Sequence, residues 1–120
     1  MKKDNIIETK SFDFALRIVK LYKYLTVEKK EYILSKQILR SGTSVGANIA
    51  EGVEGQSKKD FISKLSIALK EANETKYWLR LLIASDYIEN RVGEDLINDL
   101  QEIIRILTAI LKKSRINQQS

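Results

Sequence analysis

The sequence contains no cysteine, no histidine and no proline among its 120 residues. Without cysteine, the chain cannot form a disulfide, a zinc–thiolate site or an iron–sulfur cluster, and it has no thiol nucleophile. Without histidine, it lacks the side chain that most often serves as a general base or a metal ligand. Serine remains, but no activating base is marked out beside one. We therefore expect no catalytic residues, no metal site, no cofactor and no small-molecule substrate.

Long apolar runs are also missing. None approaches the roughly 18 residues that a membrane span requires, and the polar N-terminus does not resemble a signal peptide. A chain of 120 residues fits one domain. We expect a soluble, cytoplasmic protein that forms a single domain over residues 1–120 and binds no membrane, with residues 1–10 and 116–120 frayed.

What the sequence does contain is apolar side chains that recur every three to four residues, together with many helix-forming residues. The pattern predicts helices near residues 12–25, 31–52, 57–85 and 92–113. Ser11 and Ser57 are the expected N-caps of the first and third. Short connections favour an all-α, antiparallel up-down-up-down four-helix bundle. Gly42 and Gly46, inside the second helix, indicate a close backbone approach or a local break.

Core positions follow from the same periodicity. In the last three helices they are Leu34, Ile38, Gly42, Val45, Ile49, Phe61, Leu65, Ala68, Leu69, Ala72, Thr75, Leu79, Leu82, Ile83, Leu96, Ile97, Leu100, Ile103, Ile104, Leu107, Ile110 and Leu111. The first helix carries apolar side chains, Phe12 and Leu16 among them, over more than half of its circumference. One buried face needs less apolar surface than that. We therefore expect a further surface to cover part of this helix.

Two polar stripes lie beside the predicted core. The second helix carries Gln37, Arg40, Ser44, Asn48 and Glu51, and the third carries Ile67, Glu71, Glu74, Trp78 and Leu81. In one interpretation Arg40 pairs with Glu71 or Glu74 inside one chain. In the other, the stripes and the surplus apolar area of the first helix form an interface between subunits. We prefer the interface, because two helices each carry apolar surface that a lone bundle would leave exposed.

Positive charge is concentrated in the first third of the chain. The net charge is +5, and residues 1–40 hold ten Lys or Arg against five Asp or Glu. The candidate nucleic-acid-binding residues are Lys10, Arg17, Lys20, Lys23, Lys29 and Lys30. The alternative is an ordinary solvated face. An oligomer would repeat the patch, and each neutralised phosphate adds to the affinity for a polyanion.

The segment 37–52, QILRSGTSVGANIAEG, closely resembles the signature of the 23S rRNA intervening-sequence protein family, and the segment 71–79, EANETKYWL, extends the match. The resemblance implies a four-helix bundle that assembles into a homopentameric ring. It also implies kinship with accessory proteins of diversity-generating retroelements, which bind nucleic acid and a reverse transcriptase through basic surfaces of the ring. Matching the family's recurrent polar positions gives Arg40, Ser44, Asn48, Glu51 and Glu74 structural or interfacial roles.

These observations lead to one preferred function and two alternatives. The preferred function is a non-catalytic homo-oligomer that binds RNA or DNA without sequence specificity and acts as a scaffold. No helix-turn-helix, RNA-recognition or zinc-finger pattern indicates a sequence-specific reader. The first alternative is a protein–protein interaction module that does not bind nucleic acid. The second is an enzyme of a type that no motif identifies.

Overall fold

The computed structural model describes residues 2–119, which form an elongated bundle of 51 × 21 × 21 Å. Its helices are α1 (Lys2–Val27), α2 (Leu34–Val53), α3 (Lys58–Ala84) and α4 (Asn90–Gln119). No strand occurs within this range. Each helix packs against the next, and α4 returns to α1. The all-α four-helix prediction is confirmed. The short connections between packed neighbours fit the predicted up-and-down arrangement.

One apolar core runs along the bundle axis. Most of the core positions predicted for α2, α3 and α4 are fully buried, and the others are half-buried against the same cluster. The α1 contribution recurs every three to four residues and consists of Ile7, Phe14, Ile18, Leu21 and Leu25. The core therefore follows the helical period, as expected for amphipathic helices that close on one another.

The ends of α1 and α4 differ from the prediction. α1 begins at Lys2 rather than near Phe12, because Ile7 adds a further fully buried position one heptad before Phe14. Ser11 is not an N-cap: it is buried inside α1, and its hydroxyl donates to the Glu8 carbonyl at 3.1 Å. Residues 2–10 and 116–119 belong to helices, and fraying at these ends stays a prediction. Residues 1 and 120 lie outside the described range.

α2 and α3 begin in different ways. α2 starts at Leu34, three residues later than predicted, because the chain turns at Glu31 before it becomes helical. Ser57 is the N-cap of α3, as predicted, and its hydroxyl accepts a hydrogen bond from the Asp60 N–H at 3.0 Å. The Ser57 cap fixes the connection that precedes α3.

Glycine brings α1 and α2 into close contact. A Cβ added at Gly42 would lie 2.9 Å from two carbons of Ile18, and one at Gly46 would lie 3.3 Å from the Ser11 carbonyl oxygen. Neither glycine breaks α2, so their role is the close backbone approach. The contact between α1 and α4 is the least extensive of the four adjacent pairs.

Candidate nucleic-acid interface

Lys10 and Arg17, both predicted to bind nucleic acid, are paired with carboxylates of α4. Lys10 Nζ lies 2.7 Å from Glu102, and Arg17 bridges Asp95 at 2.7 Å and Asp99. Burial alone would lower the pKa of Arg17, but hydrogen bonds to Asp95 and Asp99 outweigh it and raise the pKa. The hydrogen bond from Lys10 lowers the pKa of Glu102. These two cations are therefore neutralised locally, and their contribution to a positive surface is small.

The remaining predicted cations lie together at the end of α1 and in the α1–α2 connection. Lys20, Lys23, Lys29 and Lys30 are all exposed. None of them has an ion-pair partner among the described residues. The structure thus divides the predicted basic surface into a paired part facing α4 and an unpaired part at one end of the bundle.

The α1–α2 connection is held firmly by hydrogen bonds. The buried Glu31 carboxylate accepts the N–H groups of Ile33 at 3.2 Å, Leu34 at 3.0 Å and Ser35 at 2.7 Å. Burial raises the pKa of Glu31, but these backbone hydrogen bonds outweigh it and lower the pKa. The Glu31 N–H in turn donates to the Leu25 carbonyl at 2.9 Å. These hydrogen bonds therefore fix the backbone conformation of the connection and the positions of the side chains on it.

Sequence reasoning missed the exposed apolar side chains at the end of α1 and in this connection. Tyr24, Val27, Tyr32 and Ile33 are exposed here, and Lys29 Nζ lies 5.9 Å from the centre of the Tyr24 ring. The alternation of lysine with tyrosine and aliphatic residues over 23–36 was a visible signal. Its meaning depended on the turn at Glu31, which the helical pattern had placed inside α2.

The polar residues predicted as structural or interfacial form a network between α2 and α3. Arg40 donates to Glu71 at 3.2 Å and to Glu74, and the Ser44 hydroxyl donates to Glu71 at 3.0 Å. The indole N–H of Trp78 donates to Glu74 at 2.9 Å, and this bond, followed by the one from Arg40, lowers the pKa of Glu74. The intramolecular alternative therefore describes Arg40 correctly.

The rest of the predicted polar set is also engaged within the chain. The Asn48 amide donates to the Ser44 carbonyl at 2.8 Å, and Glu51 lies 3.1 Å from Lys64 of α3. Trp78 is half-buried and packs against the core. An additional role for these residues between subunits stays a prediction.

An open groove lies between the outer surfaces of α1 and α2. It measures about 540 Å³, and Phe12, Ala15, Ala47 and Ala50 are among its lining residues. Phe12 and Leu16 remain exposed, as the surplus apolar area of α1 predicted. The α2 side of the groove is lined by small residues, and Glu8 and Asp13 add carboxylates on the α1 side.

Residues 2–119 offer neither a metal cluster nor a membrane span. No group of acidic residues in this range is arranged to hold a metal ion. Within the same range, no helix is both long and apolar enough to cross a membrane.

Comparison with known proteins identifies the family. The model of the 23S rRNA-intervening sequence protein family matches residues 3–109. The chain belongs to this family. No curated protein matches the chain significantly.

A solved structure supports the same family. It is the 1.70 Å crystal structure of a protein of unknown function from the S23 ribosomal protein family of Bacteroides thetaiotaomicron. The two chains are 58% identical, the match covers 92% of this chain and 98% of that one, and the TM-score is 0.90. The shared fold extends over almost the whole bundle.

Proposed function

We propose that this protein is a non-catalytic, cytoplasmic homo-oligomer that binds RNA or DNA without sequence specificity. The observation that carries the proposal is the cluster of unpaired lysines at the end of α1 and in the α1–α2 connection. A lysine ammonium contacts any phosphate as a point charge, so such a cluster attracts nucleic acid regardless of its base sequence.

Self-association would strengthen this binding. Phe12 and Leu16 expose apolar area beside the α1–α2 groove, and a second copy of the chain is the occupant that we propose for it. The family resemblance implies a ring of five copies. Each copy adds its lysines, and the affinities of separate phosphate contacts accumulate. An assembly of this kind is suited to act as a scaffold.

Charge reversal at one end of the bundle tests the binding site. In Lys29→Glu/Lys30→Glu we expect affinity for a labelled RNA or duplex DNA to fall at least about tenfold at about 50 mM salt, with a shallower dependence of affinity on salt. Lys58→Glu/Lys59→Glu is the matched control, because this adjacent exposed pair lies at the opposite end. Fluorescence anisotropy gives both quantities. Equal losses in the two variants would contradict the proposed location.

The groove supports a second candidate, a protein–protein interaction module that does not bind nucleic acid. Light scattering after size exclusion separates the possibilities. An oligomer that binds neither RNA nor DNA at low salt would favour this module. A monomer at micromolar concentration would overturn the proposed assembly. In a true interface, Phe12→Glu should dissociate the oligomer without unfolding the bundle, because Phe12 lies outside the core.

A further inference from the structure

The end of the bundle that carries the unpaired lysines also displays flat aromatic rings. Tyr24 is 41% exposed and Tyr32 is 53% exposed, and Ile33, beside Tyr32, is 75% exposed. Exposed apolar side chains that lie close together are typical of a binding surface. The hydrogen bonds of Glu31 fix the connection that carries Tyr32 and Ile33, and Tyr24 lies on the outer side of the last turns of α1.

Tyr24 stands at the edge of an open slot between α1 and the start of α4. The slot measures about 400 Å³, and its lining includes Lys20, Ile88 and Val92. It therefore combines apolar walls and one aromatic ring with charged groups, namely Lys20, the paired Arg17 and the acidic Glu89. A nucleobase offers the matching chemistry, since it presents a flat apolar face and is joined to a phosphate.

Lysines alternate with the tyrosines along the connection. Lys23 precedes Tyr24, and Lys29 and Lys30 precede Tyr32. Glu31 points inward, so Glu28 is the one acidic side chain of residues 23–36 that faces water. The ammonium of Lys29 lies 5.9 Å from the centre of the Tyr24 ring. Lys29 thus covers one face of the ring, so a base would stack on the other face, with its phosphate near this cation.

We infer that this end of the bundle binds single-stranded nucleic acid, with unpaired bases stacked on Tyr24 and Tyr32 and phosphates on the neighbouring lysines. The inference rests on the proposed function and sharpens it, because stacking requires bases that are free of a duplex. A membrane surface fits less well. Insertion of Val27 and Tyr32 into lipid would draw in the charged residues 28–30 that lie between them.

An abasic probe separates stacking from charge. The ligands are a labelled oligomer of about 20 thymidines and an abasic deoxyribose-phosphate oligomer of the same length and charge. We expect the thymidine oligomer to bind about tenfold or more tightly than the abasic one. In Tyr24→Leu/Tyr32→Leu this preference should disappear while affinity for the abasic oligomer is unchanged. Circular dichroism checks that the variant is folded.

The control and the remaining outcomes decide the inference. Tyr77→Leu is the matched control, because Tyr77 is 56% exposed on α3, outside the connection, and its loss should leave the preference intact. Equal loss in this control would overturn the assigned position. Equal binding of both oligomers by the unmodified protein would overturn stacking but leave the proposed function standing. Binding of neither oligomer together with retained binding of duplex DNA would overturn the inference and leave the proposed function standing. Binding to no nucleic acid, with binding only to anionic phosphatidylserine vesicles, would overturn both.

Discussion

The two sides of α1 are held to their neighbours in different ways. On the α2 side, Gly42 lets the helices approach until Ile18 touches the α2 backbone region. On the α4 side the contact is sparse, and ion pairs from Lys10 and Arg17 bridge it. Packing therefore supplies most of the stability on the α2 side, and ion pairs between partly exposed side chains supplement a sparse contact on the α4 side. Cations that face α4 are used in the fold, whereas those at the end of α1 stay free for a ligand.

The largest loss of stability is expected when side-chain volume is added where α1 packs against α2. In Gly42→Val the new side chain would collide with Ile18, and we expect the free energy of unfolding to fall by about 2–3 kcal/mol. Urea denaturation measures the change. Gly42→Ala should be relieved in part by Ile18→Val in the double variant, because the two positions are in contact. Purely additive losses would argue against the close approach.

Removing the cap between α1 and α2 should have the next largest effect. Glu31→Gln loses the carboxylate that accepts three N–H groups, and we expect a loss of about 1–2 kcal/mol at neutral pH. Glu28→Gln is the control, because Glu28 is an exposed neighbour.

The same cap makes stability dependent on pH. The pKa of Glu31 is lower in the folded chain than its ordinary 4.5. The ionised cap therefore stabilises the fold fully above pH 4.5, and this contribution is lost as the pH falls through the lower, folded-state pKa. The gap between the wild type and Glu31→Gln should narrow on acidification. A constant gap between neutral and acidic pH would contradict this role.

Loss of the ion pairs on the α4 side should matter less. Arg17→Met keeps much of the aliphatic stem but removes the charge shared with Asp95 and Asp99. Because these groups are partly exposed, we expect a loss of no more than about 1 kcal/mol. High salt should remove the difference, since salt screens surface charges. Urea denaturation at low and high salt tests this. A loss as large as that of Gly42→Val would reverse the comparison.

The smallest effect is expected when a paired cation becomes free to bind nucleic acid. Asp95→Asn/Asp99→Asn releases Arg17, and we expect the slope of log affinity for nucleic acid against log salt to steepen by up to about one. Glu54→Gln/Glu94→Gln removes the same charge without releasing Arg17 and serves as the control. Anisotropy titrations at several salt concentrations give the slope. An unchanged slope would show that Arg17 lies too far from the bound phosphates.

Much of the fold could be predicted because apolar residues recur at the helical period along each helix. Ile38, Val45 and Ile49 mark the buried side of α2, and all three are fully buried. The first turns of α1 were missed because Ile6 and Ile7 are the only apolar residues in the segment 2–10. The turn before α2 was missed because Glu31 fits a helical pattern, while its side chain competes for the N–H groups that follow.

The candidate site was only partly predictable, since residue type does not reveal pairing. Lys10 and Lys20 look alike in sequence, yet Glu102 neutralises Lys10, and Lys20 has no such partner among the residues described. The difference depends on which turn of α4 lies beside which turn of α1. That register is set by core packing across the whole bundle, and no local pattern encodes it.

The sparse contact between α1 and α4 also bears on how the chain reaches its fold. The most extensive contact joins α2 and α3, which are adjacent in sequence and pair at little entropic cost. Closure of α1 onto α4 joins the two ends of the chain and should come last. Weakening that closure, as in Arg17→Met, should therefore accelerate unfolding and leave the folding rate almost unchanged. The α2–α3 hairpin would then be the folding nucleus, and the pairing of α1 with α4 would form after the main barrier to folding.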